Sequence, residues 1–257
     1  MNTYTIKQIN DYTYLINDDD FCTTYLLIGK DKALVIDVGI KTTSSLLNEI
    51  RKITDKELMV FITHGHFDHI GHLNEFDSYY ICKDDLNLIK SKRLLKKARL
   101  FKNKEVFDFN TFKIKVLFLK GHTQGSVIFI DETSKIFYTG DQFGSGCGVW
   151  MQVKTATNIS TYLKSIKYFK KYIKENYSDY KEFIFYGGHY GQEYTSRLNV
   201  YNPLNLSMLD DFEVLCKKLL KNEVELEFTM AKRFNKEKSY YVKHNRSEMI
   251  IRKSLIK

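Results

Sequence analysis

Proline is all but missing from this chain, with one copy, Pro203, in 257 residues, and alanine occurs only four times. No low-complexity linker rich in proline or glycine separates one part from another. The four cysteines, Cys22, Cys82, Cys147 and Cys216, lie far apart and form no Cys-x-x-Cys pair, so they read as reduced thiols. No run is long and apolar enough to span a membrane. The start, Met1-Asn2-Thr3-Tyr4-Thr5-Ile6-Lys7, lacks the apolar stretch of a signal peptide. These absences lead to the expectation of a cytoplasmic protein with no membrane partner. Histidine is scarce as well, at seven copies.

What is present is ordinary in bulk: 43% hydrophobic and 28% charged residues, as in soluble globular proteins. The length suits one large domain or two small ones. Without a linker the reading is one domain over 1–200, with a C-terminal extension, 201–257, packed on it. The net charge of +9 comes with an excess of Lys, Asn, Ile, Tyr and Phe, the composition that an AT-rich genome imposes whatever the function. One local run stands out: Lys90, Lys92, Arg93, Lys96, Lys97, Arg99, Lys102 and Lys104, with no acid between them. Ile89, Leu94, Leu95 and Ala98 recur there at helical spacing, so a helix over 84–100 with a solvated basic face is expected.

Short apolar runs at 13–16, 24–28, 33–36 and 58–63 read as strands, and Thr42–Lys52 as a helix capped near Thr42 or Thr43. A further helix is expected to begin near Asp68. Strands follow at 112–119, 127–130, 136–138 and 183–186, with a helix over 159–173. Beyond Pro203 the pattern predicts a helix over 206–220 and a terminal hairpin over 239–252.

The informative stretch is Thr63-His64-Gly65-His66-Phe67-Asp68-His69, directly after the apolar run 58–62. Imidazole and carboxylate are good donors to divalent metals, and crowding them without a cation is destabilising. The same context recurs downstream. An apolar strand ends, a glycine or small residue follows, and then comes Gly121-His122-Thr123, Thr139-Gly140-Asp141 or Gly187-Gly188-His189. Strand ends aim loops at one point in layered α/β proteins.

On these four motifs, in this order, with Ile36-Asp37-Val38-Gly39 as an early strand ending, the chain resembles the metallo-β-lactamase-fold hydrolases. The resemblance covers roughly residues 10 to 195. It implies an α+β fold, a four-layer αβ/βα sandwich with the site along one edge of two sheets. It also implies one metal on His64, His66 and His122, a second on Asp68, His69 and His189, and Asp141 as a bridging carboxylate. Two Zn²⁺ are the default cofactors, with Fe or Mn compatible with the same donors. Two ions about 3.5–4 Å apart acidify a shared water, and Asp68 would orient it and accept its proton. Asp68 and Asp141 are therefore the catalytic candidates. His72 reads as packed or supporting rather than ligating.

The family spans several chemistries, so the fold leaves the substrate open. Asp68 and His69 together fit thioesterases, lactonases and phosphodiesterases. Gly146-Cys147-Gly148 is similar to glyoxalase II, but Val149-Trp150 and Gly125-Ser126 depart from that pattern. The segment Phe143 to Met151 and the aromatics Tyr186, Tyr190 and Tyr194 are candidates to line the pocket, Trp150 and Met151 suggesting an apolar acyl or aryl substrate part and Tyr190 a donor to a developing oxyanion. The expectation is a binuclear metal-dependent hydrolase cleaving an ester, thioester or lactone of a small molecule. The alternatives are a phosphodiesterase or ribonuclease using the basic run, and a mononuclear iron persulfide dioxygenase. Small-molecule substrate is expected over nucleic acid, and the tail leaves a homodimer contact open.

Overall fold

A computed structural model describes residues 4–19, 22–229 and 237–257. The first sheet has seven strands in chain order: β1 (Thr5–Gln8), β2 (Thr13–Asn17), β3 (Thr23–Ile28), β4 (Lys32–Ile36), β5 (Glu57–Phe61), β6 (Tyr79–Ile81) and β7 (Ala98–Leu100). Its first four strands are antiparallel and the pairs from β4 to β7 are parallel. The second sheet begins with β8 (Val106–Asp108), β9 (Lys113–Phe118), β10 (Val127–Asp131) and β11 (Ile136–Gly140), all antiparallel. Beyond β11 come the short strands β12 (Gln142–Ser145) and β13 (Val149–Trp150), and then β14 (Ile184–Gly187), which closes the second sheet parallel to β11. A third sheet joins β13 to the tail strands β15 (Glu227–Thr229), β16 (Ser239–His244) and β17 (Ser247–Arg252), in the order β13-β17-β16-β15.

Strand alternation sends successive side chains to opposite faces, and here both faces of each main sheet are covered. Leu27, Leu34, Ile36 and Phe61 of the first sheet meet Ile114, Val116, Val127, Phe129 and Tyr138 of the second in a central core. The outer face of the first sheet, with Leu26, Val35 and Val60, packs on α1 (Leu46–Arg51) through Leu46 and Ile50. The outer face of the second sheet, with Leu117, Ile128, Ile130 and Phe137, packs on two long helices, α3 (Ile159–Asn176) and α4 (Leu206–Leu220). The third sheet adds Val242, Met249 and Ile251 to that same core. Helix, sheet, sheet and helix make the four-layer α+β sandwich.

Three expected helices differ. The stretch 84–100 is a tight turn at Lys83–Leu88, a four-residue helix α2 (Lys92–Leu95) capped by Ser91, and the edge strand β7. Its cations have no acid at i+3 or i+4 to offset their repulsion, and β7 gains ladder hydrogen bonds from β6 instead. No helix begins at Asp68, because Val38 N–H donates to the His69 carbonyl and Gly71 N–H to the Gly39 carbonyl, tying this strip to the end of β4. Helix α1 starts late, with Ser45 capping the Asn48 N–H, while the Thr42 hydroxyl donates to the Ser44 carbonyl.

Candidate metal centre

Four strand ends from both main sheets deliver the site. The loop after β5 carries His64, His66, Asp68 and His69; His122 follows β9, Asp141 follows β11 and His189 follows β14. Donor atoms of His64, His66 and His122 lie within 4.8 Å of one another, and those of Asp68, His69, Asp141 and His189 do likewise. Asp141 stands between the two groups. Its Oδ2 is 4.0 Å from His64 Nε2, 3.6 Å from His122 Nε2 and 3.3 Å from His189 Nε2, and its Oδ1 is 3.4 Å from His69 Nε2. Asp68 Oδ2 is 3.7 Å from His189 Nε2 and 4.0 Å from His69 Nε2.

These donors fit a metal better than one another. Two ligands each about 2.0–2.1 Å from a tetrahedral ion sit roughly 3.3 Å apart, close to several of these separations. Among the described residues, His64 Nε2, His69 Nε2 and Asp141 Oδ1 are buried without a hydrogen-bond partner, an expensive arrangement unless a cation satisfies them. His66 Nδ1 and His122 Nε2 face each other at 2.8 Å. Glycine is required at 188: a Cβ there would lie 2.3 Å from Asp141 Oδ1 and 2.6 Å from His69 Cε1.

The outer atoms of several of these donors are held from behind. Asp37, at the end of β4 with φ of 57°, accepts from the Thr63 N–H and hydroxyl at 2.7 Å each, and its Oδ2 lies 2.9 Å from His69 Nδ1. The Thr63 hydroxyl is 3.0 Å from His64 Nδ1. His122 Nδ1 donates to the Trp150 carbonyl at 3.0 Å, and His66 Nε2 is 2.7 Å from the Thr155 hydroxyl. The backbone N–H of His189 donates to Ser145 Oγ at 2.9 Å. Asp85, 1% exposed, accepts from the N–H of Gly65, between His64 and His66, and from the Thr123 hydroxyl, beside His122. It also accepts from the Gly125 N–H.

Charge is divided unevenly. Burial holds His64 well below its ordinary value and His122 down to about 3, with neighbouring histidines adding to the effect. Burial also opposes charge on His69 and His189, but nearby acids, Asp141 foremost, outweigh it. His69 is raised well above its usual range and His189 up to about 10. Burial likewise opposes a charge on Asp141, yet His189 and His69 hold its carboxyl well below the usual range. One group presents neutral imidazoles and the other attracts positive charge around the partly buried Asp141 carboxylate.

A cavity of about 70 Å³ opens on the second group, lined by Asp68, Asp141, Gly144, Ser145, Gly148, Trp150, His189 and Gln192. Trp150 is 44% exposed at its edge, and Phe67, in the metal loop, is 62% exposed. The other two substrate candidates lie elsewhere. Met151 is fully buried in the core beneath the loop, because strand alternation at β13 turns it inward. Tyr190, with Tyr186, lines a neighbouring cavity of about 200 Å³ that meets the first at Ser145. Tyr194 is exposed and stacks on Tyr201. His72 is buried and bonded to Glu75, Thr42 and Tyr4, away from both donor groups. Of the segment Phe143 to Met151, Gly144, Ser145, Gly148 and Trp150 line the cavity as expected, while sequence reasoning passed over Asp85, Thr155 and Phe67. Only Phe67 carried a local signal, its place inside the ligand motif.

Comparison with known proteins follows the same lines. A model described as the metallo-beta-lactamase superfamily matches residues 17–189. A "Probable metallo-hydrolase" of Methanocaldococcus jannaschii is 30% identical over 165 residues, 56% of this chain and 76% of that protein. A hydroxyacylglutathione hydrolase of Psychromonas ingrahamii is 27% identical over 152 residues, 57% of this chain and 53% of its own. The chain thus spans about half the length of that relative. Among solved structures, a metallo-beta-lactamase from Pontibacter korlensis superposes with a TM-score of 0.65 at 15% identity, over 84% of this chain and 99% of that one. That likeness concerns the fold alone.

Proposed function

Because this chain belongs to the metallo-beta-lactamase superfamily, we propose that it is a binuclear metal-dependent hydrolase acting on an ester, thioester or lactone of a small molecule. The observation that carries the reading is Asp141, whose two oxygens reach histidines of both donor groups. His64, His66 and His122 would hold one ion, and Asp68, His69 and His189 the other, with Zn²⁺ the default for these donors. When bound, the ions supply the positive charge that acidifies a water and polarises the scissile carbonyl.

The chain's own groups do the rest. Asp68 lines the cavity with its carboxylate partly exposed, placed to orient the attacking water and take its proton. Asp37 and Thr63 keep His69 and His64 turned so that Nε2 of each faces inward. The cavity admits the reacting group, and Trp150 at its rim offers an apolar face for the remainder. A carboxylic ester, thioester or lactone is favoured over a phosphodiester because no Lys or Arg is among the described residues lining the cavity. The hydroxyacylglutathione hydrolases among its relatives lend weight to a thioester.

Metal content and a substrate panel test this. Two divalent ions per chain, with turnover of thioesters or lactones exceeding that of β-lactams and bis-p-nitrophenyl phosphate, is the expected result. One iron per chain with oxygen uptake would overturn it.

A further inference from the structure

Two of the three histidines in the first donor group are aimed by one strip of chain, residues 150–155. The Trp150 carbonyl accepts the Nδ1 proton of His122, so the Nε2 lone pair faces the group. The Thr155 hydroxyl, 2.7 Å from His66 Nε2, leaves Nδ1 of that ring turned toward His122. The strip is a member of neither main sheet. Its extended start, β13, pairs with β17 in parallel, Val149 opposite Met249 and Trp150 opposite Ile250. Met151 N–H donates to the Ile250 carbonyl at 2.7 Å, and the Arg252 guanidinium donates to the Val153 carbonyl at 3.1 Å. Val149 and Met151 are fully buried among Met249, Ile251 and α3 and α4 side chains.

The chain just ahead of the strip is held from the same side. Asn202 Nδ2 donates to the Gly146 carbonyl at 2.9 Å and to the Arg246 carbonyl at 2.8 Å. Gly148, with φ of 103°, lies so close to β17 that an added Cβ would be 3.0 Å from Glu248 Cβ. The remaining ligands are supported differently. The His64 and His69 rings lean on Thr63 and Asp37, and the backbone N–H of His189 donates to Ser145.

We propose that the C-terminal sheet is a positioning element of the first metal group, acting through residues 150–155 on His122 and His66, with Arg252 as its principal side chain. The tail strands of that sheet and Arg252 lie outside the stretch that matches the superfamily, residues 17–189, whereas the strip they hold lies within it. It makes the tail part of the site's architecture. The proposal rests on the binuclear reading above, and the wild-type titration separates the two.

The test uses the full chain, stripped of metal and titrated with Co²⁺ and with Zn²⁺ against a chelator. Co²⁺ spectra report each group's ligand field, and thermal melts are run beside them. Arg252→Met and Thr155→Val are each expected to weaken one of the two ions by about 10–100-fold, leaving the other at its wild-type affinity. The double variant should be no weaker than the weaker-binding single, because both changes act through one strip. Arg252→Lys, which keeps a donor for the Val153 carbonyl, should recover part of the loss. Wild-type spectrum and affinity in Arg252→Met would overturn the proposal. So would an equal loss at both groups in step with a lowered melting temperature. A wild-type chain that binds fewer than two ions would overturn the binuclear reading, and this proposal with it.

Discussion

Asp85 makes the sharpest case at the scale of single residues. It sits in a polar stretch, Lys83-Asp84-Asp85, that reads as a helix start, yet its carboxylate binds the Gly65 N–H and the Thr123 hydroxyl on two ligand loops. Asp85→Asn keeps the shape but swaps one acceptor for a donor facing donors. The expected result is a folded protein that binds one ion about 10–100-fold more weakly, as read by chelator competition. Asp68→Ala and His122→Ala should abolish turnover while circular dichroism stays unchanged. Proton linkage gives a test with a sign. His69 and His189 have raised values, so ion binding at their group must expel protons and weakens as pH falls. His64 and His122 are lowered and already neutral at neutral pH, so the first group expels none there. Metal titrations between about pH 6 and pH 8 should show one pH-dependent and one nearly flat affinity. The ligand side chains were legible because residue type sets donor chemistry and each follows an apolar run. Asp85 and Thr155 were not, because they meet their partners across 20 and 89 residues.

Strands and helices differ in how openly they announce themselves. The buried strands and α4 follow their patterns closely, since an apolar run or stripe has few other places to go. Helix α3 carries its stripe through Leu163, Ile166, Phe169 and Ile173, all buried against the second sheet. Phe169 is fully buried against Phe137 and Phe143, with ring centroids 5.3 Å and 5.7 Å away. Phe169→Ala should cost about 3–5 kcal/mol in urea unfolding, with metal stoichiometry retained in the folded fraction. The segment 84–100 misleads for a physical reason. Its apolar spacing is helical, but a pull on Asp85 from two neighbouring loops and a free edge at β6 both act from outside the segment. Tertiary contacts override a weak local preference of this kind.

For the molecule as a whole, the two sheets supply the ligands jointly, β5 from the first and β9, β11 and β14 from the second. Bound ions would therefore tie the sheets together at one edge, and chelation should lower the melting temperature. At ion concentrations about a thousandfold above Kd the linkage is worth roughly 4 kcal/mol, readable as a Tm shift on adding and removing chelator. The sequence by itself determined the metal-competent motifs and the clearly periodic strands and helices, which are local properties, and the layered α+β architecture was legible through the family resemblance those motifs carry. Only the tertiary structure decided that β17 supports the strip aiming His122 and His66. Those relations join residues 28, 56 and 99 positions apart, and no short-range pattern encodes where such distant segments meet.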